Sequence, residues 1–254
     1  LVGDPSRVSQ VSNKFEKILF KIQHREFITH TGIFNNKKIS VISSGIGTDN
    51  IDIVLNELDA IVNIDLKTKK INDFKKSLDI VRLGTSGSLN NNINLDTFIA
   101  SEYAIGFDGL AHFYDNDIVL EKKLQNEFIN HTKWDTKHAL PYALKASDNL
   151  LKKFDEIKKG ITLTATGFYA PQTRELRLKS SVRDLYDKIK DFKYNKCDIT
   201  NFEMETSALY FLGKSLGHNT LTLCAVLGNR LEDKQSNKPL ETINKLIDIV
   251  LERL

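Results

Sequence analysis

Ile80-Val81-Arg82-Leu83, followed by Gly84-Thr85-Ser86-Gly87, is the stretch from which the fold is read. A run this short and this apolar predicts a buried strand, and the two glycines and two hydroxyls after it predict a loop through which backbone can approach a small anion. The same strand-then-loop unit recurs at Ile161 to Thr166 and Leu221 to Val226, while Lys38 to Ser43 alternates and is rich in β-branched residues. Helical spacing links these strands. Val8, Val11, Phe15, Ile18 and Leu19 predict a first helix, and Gly45 and Gly47 punctuate a turn into a second that carries Ile51, Val54, Leu55 and Leu58. Further helices are predicted at roughly 182 to 192, 203 to 216 and 240 to 253, the last with Leu240, Ile243, Ile247, Val250 and Leu251 on one face. This order predicts an α/β fold, a three-layer αβα sandwich around a mixed and mostly buried sheet. Ligands are then expected at the loops that leave the strand ends.

Composition narrows the function classes. At 254 residues without a recognisable linker, the chain is expected to be a single domain over 1–254. Lys and Arg total 36 against 33 for Asp and Glu, and the formal charge of +3 is too thinly spread for a nucleic-acid footprint. Cys197 and Cys224 form neither a CxxC pair nor a Cys/His cluster, and the six histidines show no HExxH spacing, so no catalytic metal is expected. Two isolated thiols fit a reduced, cytoplasmic setting as core residues. No apolar run approaches membrane-spanning length, and Leu1-Val2-Gly3-Asp4-Pro5 is unlike a signal peptide. Leu1 and Val2 read instead as the end of a strand, with chain expected upstream. Asn90-Asn91-Asn92 and Asp115-Asn116-Asp117 are expected turns.

Four segments concentrate chemistry. Gly3-Asp4-Pro5-Ser6-Arg7 joins a strand to a helix, which presents unpaired N–H groups beside a guanidinium and suits phosphate; Asp4 or Ser6 as an ordinary cap is the plainer reading. Arg82 to Gly87 offers a second Arg with two hydroxyls, yet fits neither GxGxxG nor the Walker pattern. Phe168-Tyr169-Ala170-Pro171-Gln172-Thr173-Arg174 places aromatic surface beside an amide and a guanidinium, groups that match the carbonyl and N–H edge of a pyrimidine. Asn201-Phe202-Glu203-Met204-Glu205-Thr206 holds the sole Met between two carboxylates. Thr200 with Glu203 satisfies the capping-box pattern, which leaves Glu205 to accept hydrogen bonds from sugar hydroxyls. Gly228-Asn229-Arg230 adds a cation that can face Arg174.

Taken in order, Gly-Asp-Pro-Ser-Arg, Ser-Ser-Gly-Ile-Gly, Arg-Leu-Gly-Thr-Ser-Gly, Gly-Phe-Tyr-Ala-Pro-Gln-Thr-Arg, Glu-Met-Glu-Thr and Gly-Asn-Arg-Leu-Glu resemble the nucleoside phosphorylases, the family of uridine phosphorylases and hexameric purine nucleoside phosphorylases. The match runs from Gly3 to about Asp233. The resemblance implies phosphate binding by Gly3, Arg7, Arg82 and Thr85, with Arg25 lent to a neighbouring subunit's site in a homodimer or a homohexamer built from dimers. It implies ribose binding by Thr85, Glu203, Met204 and Glu205, and base binding by Ser86, Gly87, Phe168, Gln172 and Arg174. Arg230 resembles the second arginine of the uridine branch, and Arg174, Arg230 and Glu205 are the expected catalytic residues.

The implied reaction is phosphorolysis of uridine to uracil and ribose 1-phosphate, with inorganic phosphate as co-substrate and no cofactor. The purine branch carries a Ser-Asp pair near this strand end, where this chain reads Leu227, Gly228 and Asn229. Three departures stand out. No upstream His covers the 5′-hydroxyl, Gly32 offers no carboxylate to an interfacial potassium site, and Gly228 replaces a usual apolar residue. The rival readings are a purine nucleoside phosphorylase, a hydrolytic nucleosidase, and a nucleoside-binding protein that keeps the fold without the activity.

Overall fold

The structure, a computed structural model, describes residues 1–115 and 117–254, the side chain of Asp117 excepted. Asn116, at the centre of the turn expected at 115–117, lies outside the described residues. From the N-terminus come α1 (Ser6–Ser12), a meander of β1 (Lys17–His24), β2 (Phe27–Phe34) and β3 (Lys37–Ile42), and α2 (Thr48–Asn63). A small hairpin of β4 (Ile64–Asp65) and β5 (Lys70–Ile71) leads to β6 (Asp79–Ser88) and β7 (Phe98–Gly106). Then follow α3 (Lys122–Thr132), β8 (Tyr142–Lys145), α4 (Asp148–Leu151), β9 (Lys158–Thr164) and α5 (Leu185–Ile189). The last third holds β10 (Lys193–Tyr194), β11 (Cys197–Glu203), α6 (Thr206–Leu216), β12 (Asn219–Asn229), β13 (Lys234–Gln235) and α7 (Pro239–Arg253).

The central sheet is mixed, as its sequence pattern predicts. β6 runs parallel to β12 and antiparallel to β11, and β9 lies parallel between β11 and β7. β7 also pairs antiparallel with β12, so β12, β6, β11, β9 and β7 close on themselves. Val2 bridges Leu83 on one side and Ser43 on the other, which joins the β1–β2–β3 meander to this sheet. Helices cover it in two groups, the three-layer arrangement expected. Leu124 and Phe128 of α3 with Leu185 and Ile189 of α5 pack on Ile105, Ile161, Leu163 and Phe202. Val8 and Val11 of α1, Ile51 and Leu55 of α2, Leu209 and Leu212 of α6, and Ile247 and Val250 of α7 pack on Leu83, Leu221 and Leu223. Strands buried on both faces explain the continuous apolar runs that marked them in the sequence.

Several sequence boundaries shift for physical reasons. The helix expected through Leu19 ends at Ser12; Phe15 turns into the core and Ile18 and Leu19 belong to β1, so one apparent helical period straddled two elements. Arg82 to Gly87 is not a loop. It continues β6, because β12 and β11 go on pairing with it through Gly87 and Ser88. The helix expected at 182–192 shrinks to Leu185–Ile189, and that expected from 203 begins at Thr206, with Glu203 closing β11. The β1–β2 hairpin, β7, β8 and α3 went unread in the sequence.

Where β7 and β12 separate, a side chain replaces their ladder. Their pairing ends at Ala100 opposite Leu223. One step further, the fully buried Tyr210 hydroxyl of α6 donates to the Ser101 carbonyl at 2.7 Å and accepts the Thr222 N–H at 2.9 Å. Tyr210→Phe strands both buried backbone groups, and urea denaturation is expected to show a loss of about 1–3 kcal/mol; stability equal to that of the unaltered protein would rule out the hydroxyl as a closure of the sheet.

Candidate functional site

A cavity of about 910 Å³ opens at the C-terminal ends of β6, β11 and β12 and is lined from Gly3 at one extreme of the chain to Gln235 near the other. At one end lie Gly3, Arg7, Arg82 and Thr85. Arg7 sits in the first turn of α1 and is held by its Nη1 donating to the Leu83 carbonyl at 3.3 Å, while Asp4 Oδ1 accepts the Ser6 N–H at 2.8 Å. The cap reading of Asp4 and the cavity position of Arg7 therefore coexist. Burial, and then the neighbouring Arg82, pull the Arg7 guanidinium below its ordinary pKa. Two cations crowded at the edge of a buried site favour an anion between them.

Arg82 is the structural centre. Its side chain is 5% exposed, its Nη2 donates to Glu205 Oε2, and its Nη1 lies 3.5 Å from Glu203 Oε2. Burial pulls its pKa down, but Glu205 and then Glu203 more than offset this, so the net shift is upward and the group stays cationic. Glu205 bears the opposite strain. Burial raises its pKa, Arg82 lowers it, and the like charge of Glu203 raises it again, for a net rise. Its Oε1 accepts the Gly47 N–H at 2.9 Å, a donor delivered by a backbone at φ 100° that glycine adopts without strain. Arg82 also lines the cavity, and Cys224 acts on it beside the two carboxylates.

Glu203 differs from what its sequence position implied. It caps α6 from the end of β11, without the expected Thr200 partnership: Thr200 Oγ1 donates to Ile161 and Asn201. The Glu203 carboxylate accepts the Thr206 N–H at 3.1 and 2.9 Å, the Glu205 N–H at 2.9 Å and the Thr164 hydroxyl at 2.6 Å. It lines the cavity but its oxygens are already occupied. Met204 lies beside it on the wall.

The far end carries the flat, polar surfaces. Arg174 stacks with its Cζ 3.6 Å from the Phe168 ring centroid and donates to the Phe168 carbonyl at 3.1 Å. Gln172, 2% exposed, accepts through Oε1 from Arg174 at 3.4 Å and from Arg230 Nη2. Arg230 further donates to the Gln172 carbonyl at 2.9 Å and to the Tyr186 hydroxyl at 3.3 Å. Burial, and then Arg230, lower the Arg174 pKa. Ser86 Oγ is buried near Cys224, and Gly87 lacks a side chain where a Cβ would lie 2.8 Å from Arg230 Nε. Gln172, Arg174 and Arg230 thus converge as the sequence suggested.

One expected site residue is elsewhere. Arg25 is exposed in the β1–β2 turn at φ 54° and does not line its own chain's cavity, although the adjacent Glu26 does. Phe202 and Tyr186 were not singled out in the sequence, and Gly47 was read only as a turn residue. Phe202 lay in a quoted motif without a role, nothing local marks Tyr186, and the turn at Gly47 did not reveal its partner; the contacts of Tyr186 and Gly47 lie 44 and 158 residues away. Among the described residues no group of three or more His, Cys, Asp or Glu is arranged to hold a metal, and no helix is long and apolar enough to cross a membrane.

The chain matches known proteins in sequence and in fold. The model of the phosphorylase superfamily covers residues 1–254, and the chain belongs to that family. A uridine phosphorylase of Thermococcus kodakarensis is 27% identical over 92% of this chain and 73% of its own length. A DeoD-type purine nucleoside phosphorylase of Clostridium novyi is 26% identical over 99% of this chain and 91% of its own. The crystal structure of a Trypanosoma brucei nucleoside phosphorylase, described as showing uridine phosphorylase activity, superposes with a TM-score of 0.88 at 28% identity, covering 100% of this chain and 91% of that one. Within the superfamily the chain is a nucleoside phosphorylase, a pentosyltransferase.

Removing the central cation has a defined pH signature. Arg82→Met leaves two buried carboxylates without their counter-charge, and a loss of about 3–5 kcal/mol is expected at neutral pH. Without Arg82 the folded-state pKa of Glu205 rises further above its ordinary 4.5. The deficit is therefore smallest below pH 4.5 and grows as pH rises through the folded value. Denaturation midpoints measured from pH 4 to 8 check this; a deficit independent of pH would place the loss in packing alone.

Proposed function

We propose that residues 1–254 form a single domain that catalyses reversible phosphorolysis of uridine to uracil and ribose 1-phosphate. One observation carries the reading: a single cavity has Arg7 and Arg82 at one end, Gln172, Arg174 and Arg230 at the other, and Glu205 on the wall they share. Phosphate occupies the first end, on Gly3, Arg7, Arg82 and Thr85. Ribose lies along Thr85, Met204 and Glu205, and the base packs on Phe168 beside Ser86 and Gly87. Arg25 completes the phosphate site of a neighbouring subunit in a homodimer or a homohexamer of dimers.

The base edge favours uracil. Gln172 Oε1 is drawn toward two guanidinium groups, so the groups turned to the base are mainly donors: Gln172 Nε2, Arg174 and Arg230. Uracil offers two carbonyl oxygens to them, and its N–H takes the Gln172 oxygen once a guanidinium turns to a carbonyl. A purine reading lacks its acid. The carboxylates lining the cavity are Asp4, Glu26, Glu203 and Glu205, and none belongs to the 168–174 segment or the end of β12. Asn229, where the purine branch has its pair, instead accepts the N–H groups of Leu231 and Glu232 at 2.9 and 3.1 Å.

In the reaction, a phosphate oxygen attacks ribose C1′ as the bond from C1′ to N1 of uracil breaks. The bonding electron pair leaves with N1 and spreads onto the ring carbonyls, while the sugar passes through a cationic stage. Arg174 and Arg230 offset the negative charge that grows on the base, and the protein forms no covalent bond. Positioning of the two reactants by Arg7, Arg82 and Glu205 lowers the barrier further.

The decisive assay follows free base from a panel of nucleosides with and without phosphate. Uracil released from uridine only with phosphate is expected. Release without phosphate identifies a hydrolase, inosine or adenosine as the better substrate identifies a purine enzyme, and no release from any nucleoside identifies a binding protein. Arg174→Ala is expected to lower kcat by about 10²–10³-fold with the KM for phosphate little changed; undiminished turnover would remove Arg174 from the mechanism.

A further inference from the structure

The two carboxylates beside Arg82 are not equivalent. Glu205 turns one oxygen to Gly47 and the other to Arg82, whereas Glu203 is met by donors on every side and has little capacity left for a sugar hydroxyl. Among those donors one is a side chain. Thr164, the last residue of β9 and fully buried, donates its hydroxyl to Glu203 Oε1 at 2.6 Å. The same oxygen accepts the Ser207 N–H at 3.0 Å, so its single proton has only the carboxylate to serve. Ser207 in turn donates its own hydroxyl to Asp108 at 2.8 Å, and Asp108 accepts from Tyr142 at 2.7 Å. A line of hydrogen bonds thus runs from the β7 and β8 ends through Thr164 to the Arg82 cluster.

We propose that Thr164 is a positioning residue of the ribose subsite: its hydroxyl fixes the Glu203 carboxylate, and through Glu203 the backbone of Glu205, whose carboxylate reads the hydroxyls of the sugar, with the Arg82 guanidinium held beside it. Thr164 itself does not line the cavity and touches no substrate. Glu203, which sequence resemblance assigns to the ribose, acts through its neighbours. Its Oε2 accepts the Glu205 N–H at 2.9 Å, which sets the direction in which the Glu205 side chain leaves the backbone. The proposal rests on the ribose role given to Glu205 above.

The test compares kcat/KM for uridine and for 2′-deoxyuridine, each with saturating phosphate. A residue that merely supports folding changes the amount of active enzyme and scales both substrates alike. Thr164→Val is expected to reduce the preference for uridine by about tenfold, the worth of one hydroxyl read by a well-placed polar group. Thr164→Ser, which keeps the hydroxyl, is expected to restore it. Ser207→Ala breaks the link to Asp108 but leaves the Ser207 N–H on Thr164, and its preference is expected to match that of the unaltered protein. Should Thr164→Val fail to fold, Glu203→Gln carries the test, because its amide must turn an N–H toward another donor and lose the same discrimination. A preference unchanged in whichever of these two variants folds overturns the proposal, as does a Thr164→Ser enzyme no better than Thr164→Val. If the unaltered enzyme releases no uracil from uridine with phosphate, the ribose reading fails first and separately, and the positioning role falls with it.

Discussion

The site depends on a buried guanidinium held between two carboxylates. Arg82 cannot leave water without an opposite charge, and a single carboxylate would suffice to neutralise it; the second brings the cluster to net negative. That surplus is held by backbone, through the N–H groups of Gly47, Glu205 and Thr206. The ends of β11, α6 and the α2 entrance are therefore fixed relative to one another by electrostatics as much as by packing. Arg7 then lies near the same cluster and adds a second positive charge beside Arg82.

The opposite end uses a different device. Arg174 and Arg230 meet on one amide oxygen, and their mutual repulsion is relieved by Phe168, by Phe202 and by the Gln172 backbone. The two guanidinium groups are thereby gathered at one place on the cavity wall. The two devices meet on β11, where Phe202 faces Arg230 and Glu203 faces Arg82.

Much of this was legible in the sequence, and unevenly. The strand ends announced themselves through apolar runs broken by glycine, and Gly3, Arg7, Arg82, Thr85, Gln172, Arg174, Glu205 and Arg230 do line one cavity. What failed was local geometry decided by distant partners. Gly84-Thr85-Ser86-Gly87 has the composition of a turn, yet β12 and β11 hold it extended from either side. Glu203 sits where a capping box predicts helix, and the β9 pairing keeps it in a strand. Ile18 and Leu19 continue a helical period but belong to β1, where Ile18 pairs with Gly32 of β2 and Leu19 sits at a register irregularity. Tyr186 carries no mark, and Gly47 is marked only as a turn glycine, since their contacts here come from what folds against them. Arg25 lies exposed in the β1–β2 turn and does not line this cavity.

The closed ring of strands also bears on how the molecule is made. β6 emerges early, but its parallel neighbour β12 begins about 130 residues after β6 ends, and β7 waits on the same strand to seal its free edge. A nascent chain therefore carries an apolar, half-paired sheet until almost its last helix has been synthesised, a state prone to association with its own kind. Since the cavity draws on Gly3 and Gln235 alike, affinity for nucleoside or anion arrives only with that final pairing, and ligand present during translation acts on the last step of folding alone.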